Sequence, residues 1–424
     1  MVADFKFRFR WVALQLIDLK KCRTKKAIRE QLKNPPKGLN ETYDQILLGI
    51  DDTDYGYTRR FLLWLCFAVR PLTLEELAAT VTVDLEAENG PIFEYENKIQ
   101  DSSDVWKMCS SFVVEAKTDE IKLAHFSIKE YLLSDYVKKH PDEQIKGFSL
   151  SQELSHLMIS QTCLAYLLQF DIPESVNYPD RSLMDYAATN WIFHTRSSGD
   201  DKSQELFLSG LMMRLLTPDK PAFVEWVKIY DPQNAFKHLP PLYYACKAGL
   251  IGVTLSLLKN EVDANTWKEG KYGHVLQVAS NEGHEAIAKL LIDNGADVNA
   301  QGGEHGNALH IAVFHGHEAI AKLLIENKAD VNAQGGHHGN ALNAASTRGY
   351  EAIVKLLIEN GANVNAQGGE HGNALQAARF SGYEAIAKLL IENGADVKAQ
   401  QEKYENMLQA ASFHSHDAIE KPLI

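Results

Sequence analysis

A block of 33 residues repeats through the last part of this 424-residue chain. The stretch GNALHIAVFHGHEAIAKLLIENKADVNAQGG begins at Gly306 and returns almost letter for letter from Gly339 and Gly372. The matching asparagines Asn307, Asn340, Asn373 and Asn406 stand 33 positions apart. Upstream the same slot holds His274 and then Pro240, 34 positions earlier, so one extra residue falls near Trp267 to Gly270. The pattern makes five copies and a truncated sixth that runs out at Ile424. A period of this length argues against one ordinary core for residues 237–424. It demands a stack of small units, because no single unit can bury its apolar stripe alone.

Each copy has a physical logic. Leu309, Ala312 and Gly316 put small residues on one face of a short first helix, so that a second helix can approach closely. The second helix carries Ala319, Ile320, Leu323 and Leu324 as its expected apolar stripe. Gly295, Gly361 and Gly394 follow its last turn as left-handed stops, with Lys328 in that place in one copy. The tract Gln-Gly-Gly-(Glu/His)-His-Gly reads as a projecting hairpin turn. This period and content closely resemble the ankyrin family, whose Thr-Pro-Leu-His motif survives only as Pro240-Pro241-Leu242-Tyr243 and Asn307-Ala308-Leu309-His310. The resemblance implies a solenoid that binds another protein in a concave groove.

The copies differ most just before the glycine ending the first helix, and the resemblance places that column in the groove. Its members are Lys247, Asn281, Glu282, Phe314, His315, Thr347, Arg348, Phe380, Ser381 and Phe413. Aromatic and arginine side chains in such a column are the usual anchors of an interface. The competing expectation is that these rings lie across the neighbouring copy as packing. In the sixth copy the column Leu290, Leu323, Leu356, Leu389 becomes Pro422, which predicts a weak terminal unit.

Upstream, Thr73-Leu74-Glu75-Glu76 and Ser127-Ile128-Lys129-Glu130 both read as capping boxes opening helices. Between them Ser111 to Ala116 and Ile121 to Phe126 flank Thr118-Asp119 as a hairpin, giving a winged-helix outline over 38–140. Helical patterns return in 141–236 as a connector, with Pro173, Pro179 and the polar stretch Arg196 to Ser203 as separators. Leu39-Asn40-Glu41-Thr42-Tyr43-Asp44-Gln45-Ile46-Leu47, Arg70-Pro71-Leu72-Thr73-Leu74-Glu75-Glu76-Leu77 and His125-Phe126-Ser127-Ile128-Lys129-Glu130-Tyr131-Leu132 resemble fungal NACHT-ankyrin proteins. Residues 1–37 then correspond to a remnant of the NTPase arm helices. The expected fold is mainly α: a winged-helix-like domain and a helical linker, followed by an ankyrin solenoid over 237–424.

No G-x-x-x-x-G-K-[ST] loop occurs in the chain, so no glycine turn cradles phosphates and no lysine reaches the last one. The expectation is a truncated family member without its NTPase core, unable to hydrolyse nucleotide alone and carrying no cofactor. The resemblance also implies a nucleotide-sensing role for His125, next to the start of the last winged-helix helix. The plainer alternative is a helix-entry histidine satisfied by local backbone.

Other chemistry fails on inspection. His317-Glu318-Ala319-Ile320-Ala321 lacks the second histidine of a zinc helix. Asp293, Gly295 and Asp297 lack a calcium loop's glutamate, and no G-x-S-x-G occurs. His305, His338 and His371 recur one copy apart, too widely spaced to share a metal, and Tyr272 and Tyr404 continue their column as aromatic packing. The formal net charge of −13 disfavours nucleic acid as the main partner. The basic stretch 1–40 reads as a solvated helix face. Five scattered cysteines fit reduced thiols, and the longest apolar run, Phe61 to Val69, is too short to span a membrane. These observations lead to a non-catalytic interaction module, cytoplasmic or nuclear, working as scaffold, regulator or recognition arm. The regulatory half of a split NTPase switch and a transcriptional co-regulator are the alternatives.

Overall fold

The computed structural model describes residues 24–26, 38–109, 111–116, 119–173, 179–199, 202–234, 239–266 and 273–397. The chain divides into two compact units, Met1–Phe236 and Lys237–Ile424. The expected arm helices of 1–37 fall almost wholly outside the described residues, as do Phe413, Pro422 and the rest of the sixth copy.

The first unit opens with α1 (Leu39–Leu48) and α2 (Asp52–Phe67). Strand β1 (Leu72–Thr73) leads directly into α3 (Leu74–Ala79). Thr73 starts that helix because its hydroxyl accepts from Glu76 N while the Glu76 carboxylate accepts from Thr73 N, the expected reciprocal cap. Arg70 holds the same carboxylate at 2.9 and 2.5 Å. An excursion containing the paired strands β2 (Val83–Asp84) and β3 (Ile92–Phe93) separates α3 from α4 (Ser103–Cys109). The hairpin follows as β4 (Val113–Glu115) and β5 (Glu120–Leu123), with Asp119 in a left-handed conformation at its tip. The sheet order β1-β5-β4 completes a winged helix, since β5 is sandwiched between its hairpin partner and β1.

The second expected capping box is not where the sequence put it. Helix α5 (Phe126–Leu132) begins two residues earlier, with His125 as N-cap and Ser127 inside the first turn. The imidazole Nδ1 accepts from Ser127 N at 3.2 Å, and the Ser127 hydroxyl lies 2.7 Å from Nδ1 and 2.8 Å from the Tyr43 hydroxyl. A ring nitrogen caps the helix start in place of the expected serine oxygen, and the donor it takes is the Ser127 N–H.

Two short helices, α6 (Asp135–Lys138) and α7 (Glu143–Gly147), lead to α8 (Gln152–Leu167). Then come α9 (Met184–Ser197), α10 (Lys202–Leu215) and α11 (Pro221–Tyr230). Helix α10 starts inside the polar stretch read as a separator. The segments 38–140 and 141–236 share one core: Trp64 meets Tyr186 at 5.4 Å, Phe67 meets His156 at 5.3 Å, and Phe93 meets Tyr166 at 5.6 Å.

The second unit is a row of helix pairs. In chain order they are α12 and α13 (Pro241–Lys247, Ile251–Lys259), α14 and α15 (Val275–Glu282, Glu285–Asp293), and α16 and α17 (Ala308–His315, Glu318–Glu326). The row continues with α18 and α19 (Ala341–Arg348, Glu351–Glu359) and α20 and α21 (Ala374–Phe380, Glu384–Glu392). The buried stripe of the second helix is shifted from its expected register: Ile320, Ala321 and Leu324 are buried, Leu323 is half-buried and Ala319 is exposed. Only a narrow face is covered, because the first helix of the same copy supplies one side of the contact and the next copy the other.

Candidate functional site: the column at the end of the first helices

The repeating frame is held by side-chain bonds that reach from one copy to the next. At the first helix start, Asn307, Asn340 and Asn373 accept from the backbone N–H three residues on, doing the work of the family's threonine. The family's histidine slot holds Gln277, His310, Asn343 and Gln376. Three of them donate to carbonyls of the following hairpin: Gln277 to Gly306 O at 2.9 Å, His310 Nε2 to Ala333 O at 3.0 Å, and Asn343 to Gly368 O at 2.9 Å. The motif is degenerate in letters but constant in chemistry, because the slot requires an N–H donor. On the far side Asn265, Asn299, Asn332 and Asn365 form a spine. Each donates its amide N–H to a carbonyl of the next copy at 3.0–3.1 Å and accepts a backbone N–H from it at 2.7–2.8 Å.

The glycines ending the first helices are required by close approach. A Cβ on Gly283 would lie 2.7 Å from the His317 ring, on Gly316 2.8 Å from Tyr350, and on Gly349 2.5 Å from Tyr383. Each of these three is left-handed as well, so two constraints select glycine. The rings come from the following copy, and His317 fastens its own by donating Nε2–H to Asn281 O at 3.1 Å. His284 does the same to Lys247 O at 3.3 Å. The histidines of the near-miss zinc helix therefore serve as inter-copy struts.

On this frame the variable column comes side by side. Lys247 is half-buried with its ammonium 6.0 Å from the Tyr243 ring centre. Asn281 is half-buried and donates to the exposed Glu282 at 2.9 Å. Thr347 turns its hydroxyl back onto Asn343 O at 2.8 Å. Phe314 is half-buried and has two aromatic neighbours, His305 at 6.0 Å and His338 at 5.1 Å, both stacked. His315 meets Phe314 edge-on at 5.0 Å. The Arg348 guanidinium lies 4.6 Å over the Phe314 ring, and its Nε donates to Phe314 O at 3.3 Å. Phe380 stacks on His371 at 4.7 Å yet remains 54% exposed, beside half-buried Ser381.

The structure thus joins two columns that the sequence treated separately. The hairpin histidines His305 and His338 stack on Phe314, and His371 on Phe380, in the variable column. Burial, with the neighbouring His371, lowers the pKa of His338, so its ring is kept neutral. Among the described residues no three His, Cys, Asp or Glu side chains are grouped to hold a metal ion. The signal for the stacking was present, since Phe and His recur at a fixed offset within a copy, but spacing alone gives no contact.

His125 lies in the other unit. Its Nδ1 accepts the Ser127 N–H and so carries no proton, and the ring packs on Phe126 at 4.3 Å.

Fold and columns together define an ankyrin-repeat solenoid preceded by a winged helix. The family described as ankyrin repeats (3 copies) matches residues 213–302, 242–335, 276–368 and 309–401. The GPI inositol-deacylase winged helix domain matches 53–144. Both are domain types without catalytic machinery of their own, and ankyrin repeats point to protein–protein interaction. The azaphilone pigments biosynthesis cluster protein L of Monascus ruber is 31% identical over 322 residues, covering 69% of this chain and 66% of that protein. Alpha-latrocrustotoxin-Lt1a of Latrodectus tredecimguttatus is 36% identical over 73 residues, covering 17% of this chain and 5% of the toxin. The chain spans just under two thirds of the fungal relative's length and a small fraction of the toxin's. No helix among the described residues is long and apolar enough to cross a membrane.

Proposed function

We propose that this chain is a non-catalytic interaction module of NACHT-ankyrin type, which captures another protein through the column at the ends of its first helices. One observation supports this most. In copies otherwise almost identical, the exposed ring of Phe380 and the Phe314–Arg348 stack stand in the column where the sequence varies. Selection that keeps a frame constant and varies one column is what a reading surface requires. The winged helix and the repeats in one chain support the NACHT-ankyrin type, and the missing phosphate loop supports action without nucleotide chemistry. The fungal relative's name places it in a pigment biosynthesis cluster, and a scaffold or regulator, cytoplasmic or nuclear, is the role that fits such a setting.

The test is capture of a partner from the native host, followed by binding measurements on the recovered protein. Phe380→Ala should cost about 2 kcal/mol, roughly thirtyfold in affinity. Glu326→Ala and Glu359→Ala, on exposed outer positions, should change binding by under about 0.5 kcal/mol. The reverse pattern would make the rings inter-copy packing. Calorimetric titration with ADP should show no binding in the micromolar range. Binding there, lost in His125→Ala, would instead favour the regulatory half of a split switch.

A further inference from the structure

Arg348 is held over the Phe314 ring of the preceding copy, at 4.6 Å, while the half-buried Lys247 lies farther from its own ring, at 6.0 Å from Tyr243. Two lysines of the second helices pair within their own helix: Lys355 with Glu351 at 2.8 Å and Lys322 with Glu326 at 4.0 Å. Arg348 is exposed but forms no ion pair among the described residues. Its position is fixed instead by the Phe314 ring beneath it and by one bond from Nε to Phe314 O. That arrangement uses only Nε of the guanidinium for the protein and leaves its planar edge of N–H donors to other uses. The single carboxylate of the groove column, Glu282, is engaged by Asn281 in a different copy. A charged fork already immobilised over an aromatic face has lost much of its rotamer entropy before any ligand arrives.

The geometry points to an acidic ligand: an extended segment of a partner protein that places a carboxylate on Arg348 and an apolar side chain against Phe380. This rests on the groove reading above and adds to it the chemistry of the occupant. A carboxylate meets the guanidinium edge in two parallel hydrogen bonds, which a neutral amide cannot reproduce. Charge complementarity at the site itself favours such a segment, because the exposed Arg348 guanidinium has no carboxylate partner among the described residues.

The probe is a displayed library of random dodecapeptides selected on the full chain, with the best binder resynthesised for titration. The recovered peptides are expected to share an Asp or Glu. Its replacement by Asn or Gln should weaken binding about tenfold on the native chain and leave it unchanged on Arg348→Ala, a coupling that marks direct contact. Arg348→Lys should keep the salt dependence and lose most of the affinity, since ammonium neither forks nor stacks in the same way. Binders that lack an acid, an acid whose loss costs the same with and without Arg348, or no binders at all would overturn the inference. So would self-association of the chain that disappears in Arg348→Ala, which would make a second copy the occupant. If Phe314→Ala and Phe380→Ala leave peptide binding untouched, the groove reading itself fails. If they abolish it while charge changes do nothing, only the acidic occupant is wrong.

Discussion

Lys328 shows how a single residue can be out of step with the fold around it. It stands where Gly295, Gly361 and Gly394 end the other second helices, and it adopts the same left-handed backbone, with φ of +72°. A side chain there crowds the following carbonyl, whereas glycine does not. The backbone bonds at this point do not need a side chain: Lys328 N donates to Ile325 O at 3.0 Å, and its carbonyl accepts from Asn299 at 3.1 Å. Space is also no issue, because a Cβ at the three glycines would meet nothing within 4 Å. Lys328→Gly should therefore stabilise the solenoid by about 1 kcal/mol, read as a higher denaturant midpoint with unchanged slope. Gly361→Lys should cost about as much, and equal midpoints for both variants and the native chain would remove strain from the account. This residue was legible in the sequence, since the glycine column announces its own exception. His125 was less so, because only coordinates tell whether a histidine or the serine two residues on caps a helix.

At the scale of the element, the helix pairs were legible from period alone, and the lateral bonds between them were not. Gln277, His310 and Asn343 look like unrelated substitutions until each is seen donating to the next hairpin. Likewise, α10 went unread because its first turn lies in polar residues that break the apolar rhythm. His310 offers a test of the shared role. Burial pushes its pKa below the ordinary value near 6.5, more strongly than its bond to Ala333 raises it. Below that ordinary value the unfolded chain takes up a proton that the native His310 refuses, so native stability must fall as pH falls from there. Glutamine fills the same slot in two other copies, as Gln277 and Gln376, and Gln277 supplies the donor without the titration. His310→Gln should keep neutral-pH stability within about 1 kcal/mol and flatten the decline below pH 6.5, as measured by urea melts at a series of pH values. A variant that loses stability at every pH alike would show that imidazole shape matters more than its donor.

At the scale of the whole molecule, the sequence reads as repeats after mixed helices and a hairpin, and the structure packs the two segments read before the repeats, 38–140 and 141–236, on one core. The reason lies in large side chains that act across the expected boundary: Trp64, Phe67 and Tyr186 belong to different segments and to one core. That core contains a chain of polar groups that no periodicity could reveal. Val69 N donates to the Tyr186 hydroxyl at 3.0 Å, Tyr186 lies 2.8 Å from His194 Nε2, and His194 Nδ1 lies 2.8 Å from His156 Nδ1. Tyr186 accepting from Val69 and donating to His194 Nε2 defines one proton arrangement along this chain. His194 must then carry its proton on Nδ1 and donate to His156. In this arrangement the contacts need both imidazoles neutral. Burial, reinforced by the neighbouring His156, lowers the pKa of His194 to about 3, and burial lowers that of His156 too, with Lys129 adding to the effect. Both folded values lie below the ordinary one near 6.5, so the stability they confer is whole above that pH. It is lost progressively as pH falls toward the folded values. Two measurements separate this from general acid unfolding. The imidazole resonances of His194 should show no titration between pH 7 and 4 while the unit remains folded. The unit's denaturation midpoint should fall across the same interval in the native chain and fall less in a His156→Leu, His194→Phe double variant. Should the double variant fail to fold, the resonance measurement decides alone: a titration of His194 near 6.5 would mean that the buried relay tolerates a charge and does not govern the acid limb.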